Sequence, residues 1–128
     1  MDATLRFRTL ASAAMVDGEI QPEERILLMN AAKRMGLRLQ ETHALLNRTH
    51  HEPDFVPPVP AHPSERVTLF MEIADILAAD GIVQESEMKL LKRVAPSFGF
   101  HPDKVERIME MAKASTKRLL KILSGNDA

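Results

Sequence analysis

Four acidic residues occupy matching places in two stretches of this chain. Asp17 and Glu24 belong to the first stretch, and Asp80 and Glu87 lie 63 positions later in the second. Both stretches have the pattern Asp-Gly-x-(Ile/Val)-x-x-x-Glu, which matches the second half of a calcium-binding EF-hand loop. Carboxylates that lie close together repel each other unless a cation or a basic side chain is nearby. Metal binding is therefore the first chemistry that these residues suggest.

A complete EF-hand loop needs further carboxylates at its first and third positions, because calcium takes about six to eight oxygen ligands. The first stretch has Ala13 and Met15 at those positions, and the second has Ile76 and Ala78. None of these side chains supplies an oxygen atom. The pattern therefore does not predict a working pair of EF-hands.

Helix capping is the structural alternative for the two glutamates. Gln21 precedes a helix, and Glu24 follows it by three residues, the spacing at which a glutamate carboxylate accepts the N–H of the capping residue. Glu87 stands in the same relation to Gln84. A negative charge in the first turn also complements the helix dipole. This interpretation needs no metal.

The two aspartates, Asp17 and Asp80, lie where a helix ends, and a negative charge there opposes the helix dipole. They can be compensated in two ways. In a turn, each side chain would accept hydrogen bonds from nearby backbone N–H groups. Alternatively, a shared cation or a basic partner would bridge the two turns, and we expect these turns to lie close together. Arg25 and Lys89 are the nearest candidates for an internal counter-charge.

The motifs lie within a longer internal repeat that predicts how the chain is organised. Residues 7–36 and 70–99 are identical at ten of thirty aligned positions. Apolar residues recur at helical spacing in both segments, and the first helix of each is followed by an Asp-Gly pair at which it can end. The chain is therefore predicted to be all-α, with six or seven helices in two three-helix halves, residues 3–50 and 64–123. A proline-rich linker, residues 51–63, joins them.

The two halves differ at one position that affects a helix. Pro96 stands where the first half has Lys33. Proline lacks the backbone N–H, and its ring clashes with the preceding turn of a helix. We therefore expect the second helix of the second half to kink or end early, near this residue.

Composition and charge exclude several classes of function. With 128 residues, the chain is long enough for a single domain with its own core. A formal net charge of −1 gives no electrostatic reason to expect nucleic acid as a partner. There is no cysteine and no run of about 18 apolar residues, so we expect neither disulfides nor an integral membrane segment. We predict a cytoplasmic location.

The repeated motif resembles that of a known family. A helix that ends in Asp-Gly, followed by a helix that opens with x-(Ile/Val)-x-x-x-Glu, occurs twice over roughly residues 5–115. This arrangement is similar to the TerB family of tellurite-resistance proteins and to the TerB-like domain of the co-chaperone DjlA. The resemblance implies an all-helical, duplicated fold. It also implies a weak site for a divalent cation (calcium, magnesium or manganese) formed by Asp17, Glu24, Asp80 and Glu87.

The functional hypothesis that follows is a non-enzymatic, TerB-like binding module. The resemblance implies a stress-response complex of the tellurite-resistance type, or an envelope-associated complex, whose protein partners the sequence does not identify. A purely structural scaffold for protein interaction or dimerisation is the first alternative, and a homodimer is one form that it can take. A metal-dependent hydrolase that uses the same four carboxylates is less favoured. Such enzymes usually gather more ligands, and a histidine or lysine for proton transfer, in one pocket.

Overall fold

The computed structural model describes residues 2–16, 18–123 and 125, and the regular structure in this part of the chain is helical. The α-helices found there are α1 (Ala3–Ala14), α2 (Pro22–Arg34), α3 (Leu39–His51), α4 (Pro63–Leu77), α5 (Glu85–Val94) and α6 (Val105–Leu123). Two short 3-10 helices, Ala95–Phe98 and Pro102–Lys104, precede α6. The prediction of an all-α chain with six helices is confirmed. None of the helices in the described ranges is long and apolar enough to cross a membrane.

The helices α1 and α4 pack against each other at the centre of the bundle. In addition, α1 contacts α2 and α3, and α4 contacts α2 and α6. Phe7 of α1 and Phe70 of α4, which occupy the same position of the repeat, are both fully buried. The Phe70 ring packs against Phe98 and Phe100, with centroids 5.6 and 4.7 Å away. The order of the helices thus agrees with the repeat, and superposition of the two halves stays a prediction.

The two turns that follow α1 and α4 share an unusual backbone conformation. Gly18 has a φ of 95° and Gly81 has a φ of 80°. Both values lie in the left-handed region, which residues with a Cβ atom rarely adopt. In each turn, glycine therefore lets the chain leave one helix and reach the start of the next.

The early end of α5 follows from its proline. The helix stops at Val94, and the chain continues as the 3-10 helix Ala95–Phe98, which contains Pro96. Because Pro96 has no N–H to donate to a carbonyl of the preceding turn, the α-helical pattern cannot continue through it. The prediction that Pro96 ends this helix early is confirmed.

The linker is non-helical between residues 52 and 62. Its two predicted end residues belong to helices instead, since His51 is the last residue of α3 and Pro63 is the first of α4. Proline suits the first position of a helix, where its missing N–H would have no partner within the helix. The linker is mostly exposed, as Val56 is, with one proline, Pro60, buried.

Candidate functional site

The two predicted capping glutamates each accept a hydrogen bond from the backbone that opens their helix. The Gln21 N–H donates to Glu24 Oε1 at 2.8 Å, and the Gln84 N–H donates to Glu87 Oε1 at 2.8 Å. Glu24 is 2% exposed and Glu87 is 3% exposed. A carboxylate buried to this degree needs the backbone donor and the positive end of the helix dipole to offset its lost hydration. Both glutamates therefore contribute to the fold, whatever else they bind.

The second Asp-Gly turn is closed by its own aspartate. Asp80 Oδ1 accepts the Ile82 N–H at 3.0 Å, which is the turn interaction that the sequence suggested as one alternative. The Lys89 ammonium lies 3.2 Å from Glu85, on the same helix. Asp17, the aspartate of the first turn, lies outside the described residues.

Three of the four candidate metal ligands thus already have a backbone donor at one oxygen. Within residues 2–16, 18–123 and 125, no group of three or more His, Asp or Glu side chains is arranged to hold a metal ion. Glu24, Asp80 and Glu87 alone therefore do not form a metal-binding site. A site that adds Asp17 to them stays a prediction.

A groove that the sequence analysis did not anticipate lies between α1, the linker and α5. It has a volume of about 720 Å³ and begins beside the first Asp-Gly turn, where Gly18 lines it. Its walls are mostly apolar. The apolar side chains that line it are Ala13, Met15, Val16, Pro53, Phe55, Val56, Pro57, Val59, Ile73, Leu90, Val94 and Phe98.

Arg8 fastens the linker to one side of this groove. Its side chain is almost fully buried, and its guanidinium carbon lies 3.9 Å from the centroid of the Phe55 ring. Arg8 Nη2 donates to Glu52 Oε2 at 2.9 Å, and Arg48 Nε donates to Glu52 Oε1 at 3.0 Å. The hydrogen bonds from Arg48 and from Arg8 lower the pKa of Glu52 below its usual value. The linker is therefore held by a cation–π contact and by ion pairs to α1 and α3.

The opposite side of the groove carries an exposed arginine. Arg93, near the end of α5, lines the groove, and so does Ser97, which follows it by about one turn. Arg93 has no ion pair with any other residue that the structure describes. A guanidinium and a hydroxyl are thus presented together at the edge of an apolar groove.

A second cluster of charges joins α4 to its neighbours. Arg6 of α1 forms an ion pair with Glu72 of α4. One turn further along α4, burial raises the pKa of Asp75 to about 6. The negative charge of Glu72 raises it further, whereas Arg34 of α2 opposes the change. Asp75 therefore costs stability when it is ionised.

Asp75→Asn should stabilise the protein at pH 7 and have little effect at pH 4. The folded state keeps the Asp75 proton up to about pH 6, whereas the unfolded chain loses it near pH 3.8, so wild-type stability falls as the pH rises through this window. We expect a gain of about 1 kcal/mol in the variant at pH 7, because solvent screens part of the cost at this half-buried site. Urea unfolding at both pH values measures this gain.

Asp54→Asn, an exposed change in the linker, is the control and should show no such difference between the two pH values. Equal stability of Asp75→Asn and wild type at pH 7 would contradict the raised pKa of Asp75.

The chain matches a known protein family. A family model described as tellurite resistance protein TerB matches residues 6–110, which is most of the chain. Neither the curated proteins nor the solved structures gave a match.

Proposed function

Because the chain belongs to the tellurite resistance protein TerB family, we propose that it is a non-catalytic binding module of a stress-response or envelope-associated complex. We place this module in the cytoplasm, with a protein or small-molecule partner rather than nucleic acid. The observation that supports it is the groove between α1, the linker and α5. A preformed, mostly apolar groove of about 720 Å³ has the size and character of a binding site.

The test is complementation of growth in the organism that encodes the protein. After deletion of the gene, the wild-type chain should restore growth in the presence of tellurite. A chain with both Val56→Asp and Val59→Asp should not restore it, because these changes place charges on the linker side of the groove. Val67→Asp with Ile122→Asp is the matched control, since these valine and isoleucine side chains are exposed and lie outside the groove.

Each outcome has a separate meaning. Full growth of the Val56→Asp, Val59→Asp variant would show that the module does not act through this groove. Deletion without any effect on growth under tellurite would instead reject the stress-response role.

The second element of the proposal is a divalent cation, bound weakly at the two Asp-Gly turns. The likeness of the turns supports it, because Gly18 and Gly81 share a left-handed conformation and each is followed by a buried glutamate. Carboxylate oxygens bind hard cations, so the expected ions are calcium, magnesium or manganese. Asp17 and Asp80 would be the ligands that are not needed for helix capping.

Asp17→Asn combined with Asp80→Asn should remove any rise in melting temperature that calcium, magnesium or manganese gives the wild-type chain. An amide keeps the size of the side chain but loses the charge that binds a cation. Thermal unfolding with each metal salt and with EDTA measures the change, and backbone NMR shifts locate it. Asp54→Asn is the control, and a metal-dependent rise that persists in the double variant would reject the site.

A further inference from the structure

We propose that the groove between α1, the linker and α5 binds a long-chain carboxylate, whose apolar chain lies along the groove and whose head group meets Arg93. The inference rests on the proposed function, because it names the class of ligand for the same groove. The groove's volume, the state of its polar lining and its charge each favour this ligand.

The volume is that of a small-ligand site. About 720 Å³ falls within the range of roughly 300–1,000 Å³ that is typical of small-molecule pockets. A flexible alkyl chain is a ligand of suitable size for a groove of this volume.

Three polar side chains of the lining, Thr9, Thr49 and Glu52, are already hydrogen-bonded within the protein. The Thr9 hydroxyl donates to the Leu5 carbonyl at 2.8 Å, and the Thr49 hydroxyl donates to the Leu45 carbonyl at 2.7 Å. Glu52 accepts hydrogen bonds from two arginines. An extended peptide would bring an N–H and a C=O with every residue, and each costs free energy if buried without a partner. An alkyl chain brings no such groups.

The charge of the lining favours an anion. Among the groove residues that the structure describes, the single carboxylate, Glu52, lies between Arg8 and Arg48 and is balanced by them. Arg93 therefore adds a positive charge that no described lining residue offsets. A carboxylate head placed there would accept charge-assisted hydrogen bonds from Arg93 and a further one from Ser97. An apolar chain with a positive head would meet repulsion at the same position.

Titration of the full chain with dodecanoate, below the concentration at which it forms micelles, tests the proposal by backbone NMR. We expect saturable shifts confined to the groove, and much weaker binding of dodecyltrimethylammonium, which has the same alkyl chain and a positive head. Arg93→Gln should weaken dodecanoate binding by about fivefold to tenfold, as expected for the loss of a charge-assisted contact. Arg107→Gln, an exposed change on α6, should not alter it.

The Val56→Asp, Val59→Asp variant should also lose dodecanoate binding while keeping a wild-type circular dichroism spectrum. Shifts spread over the whole surface, equal binding of the ammonium compound or unchanged affinity in Arg93→Gln would each overturn the proposal. So would a helical peptide that binds in the groove when dodecanoate does not.

The proposed ligand and the proposed function can be rejected separately. No dodecanoate binding, together with loss of tellurite resistance in the groove variant, would reject the carboxylate and keep the binding module. Arg93-dependent binding of dodecanoate, together with normal growth of the groove variant, would keep the ligand and show that growth under tellurite does not depend on this groove.

Discussion

Replacing either Glu24 or Glu87 with alanine should lower the free energy of unfolding by about 2 kcal/mol, even in a buffer that contains EDTA. Each carboxylate accepts the N–H that opens its helix at 2.8 Å, and each is almost fully buried. Alanine would remove the carboxylate acceptor, so the partly buried N–H of Gln21 or Gln84 would lose its hydrogen bond to that side chain. Urea unfolding followed by circular dichroism measures the loss.

Glu85→Ala is the matched control for the capping role. Glu85 lies in the same first turn as Glu87, but it is exposed and pairs with Lys89 along the helix, so its loss should change the stability little. Unchanged stability of either single capping variant would contradict the role that we assign to that glutamate.

The double variant Glu24→Ala, Glu87→Ala separates capping from metal binding. In EDTA, the two losses should add to about 4 kcal/mol if the caps act independently. A departure from additivity that appears only when a divalent cation is present would show that the two turns share an ion. Additivity under both conditions would leave the glutamates as caps alone.

Arg8→Met should destabilise the protein by about 2 kcal/mol and loosen the linker. Methionine can fill much of the space of the arginine stem, but it loses the contact with the Phe55 ring, 3.9 Å from the guanidinium carbon, and the hydrogen bond to Glu52. The free energy of unfolding reports the first effect. Faster amide hydrogen exchange in residues 52–62, relative to the helices, reports the second.

Arg48→Gln provides the comparison, because Arg48 contacts the other oxygen of Glu52 but is itself exposed. Exposed ion pairs contribute little to stability. The midpoint urea concentration of unfolding should therefore be close to that of the wild type. Equal losses in the Arg8 and Arg48 variants would mean that the ion pair, rather than the buried cation–π contact, holds the linker.

The helix ends and the turns were predictable from the sequence because each depends on residues only a few positions apart. Glu24 follows Gln21 by three residues, and Pro96 lies two residues after the end of the α-helix that it stops, so local chemistry determines both outcomes. The linker was predictable for the same reason, although its end residues joined the adjoining helices. The role of Pro63 as a first helical residue is a local preference that the prediction did not use.

The groove was not predictable, because its walls come from segments that are distant in the chain. Residues 13–16, 52–59 and 90–98 meet only after α1, the linker and α5 have packed. Valines in a proline-rich linker were a weak signal of an apolar surface, and nothing near Arg93 in the sequence showed that it would face them. The raised pKa of Asp75 has the same origin, since burial in the folded bundle is its largest cause.

The buried glutamates have a consequence for how this family diverges. Glu24 and Glu87 each stabilise the start of a helix, so any descendant that keeps this bundle would be under pressure to keep them, whatever it binds. The exposed groove residues Val56 and Arg93 contribute less to the bundle and carry no such obligation. Glutamates shared at these two positions would then indicate a common architecture, whereas ligand specificity could change independently from one paralogue to the next.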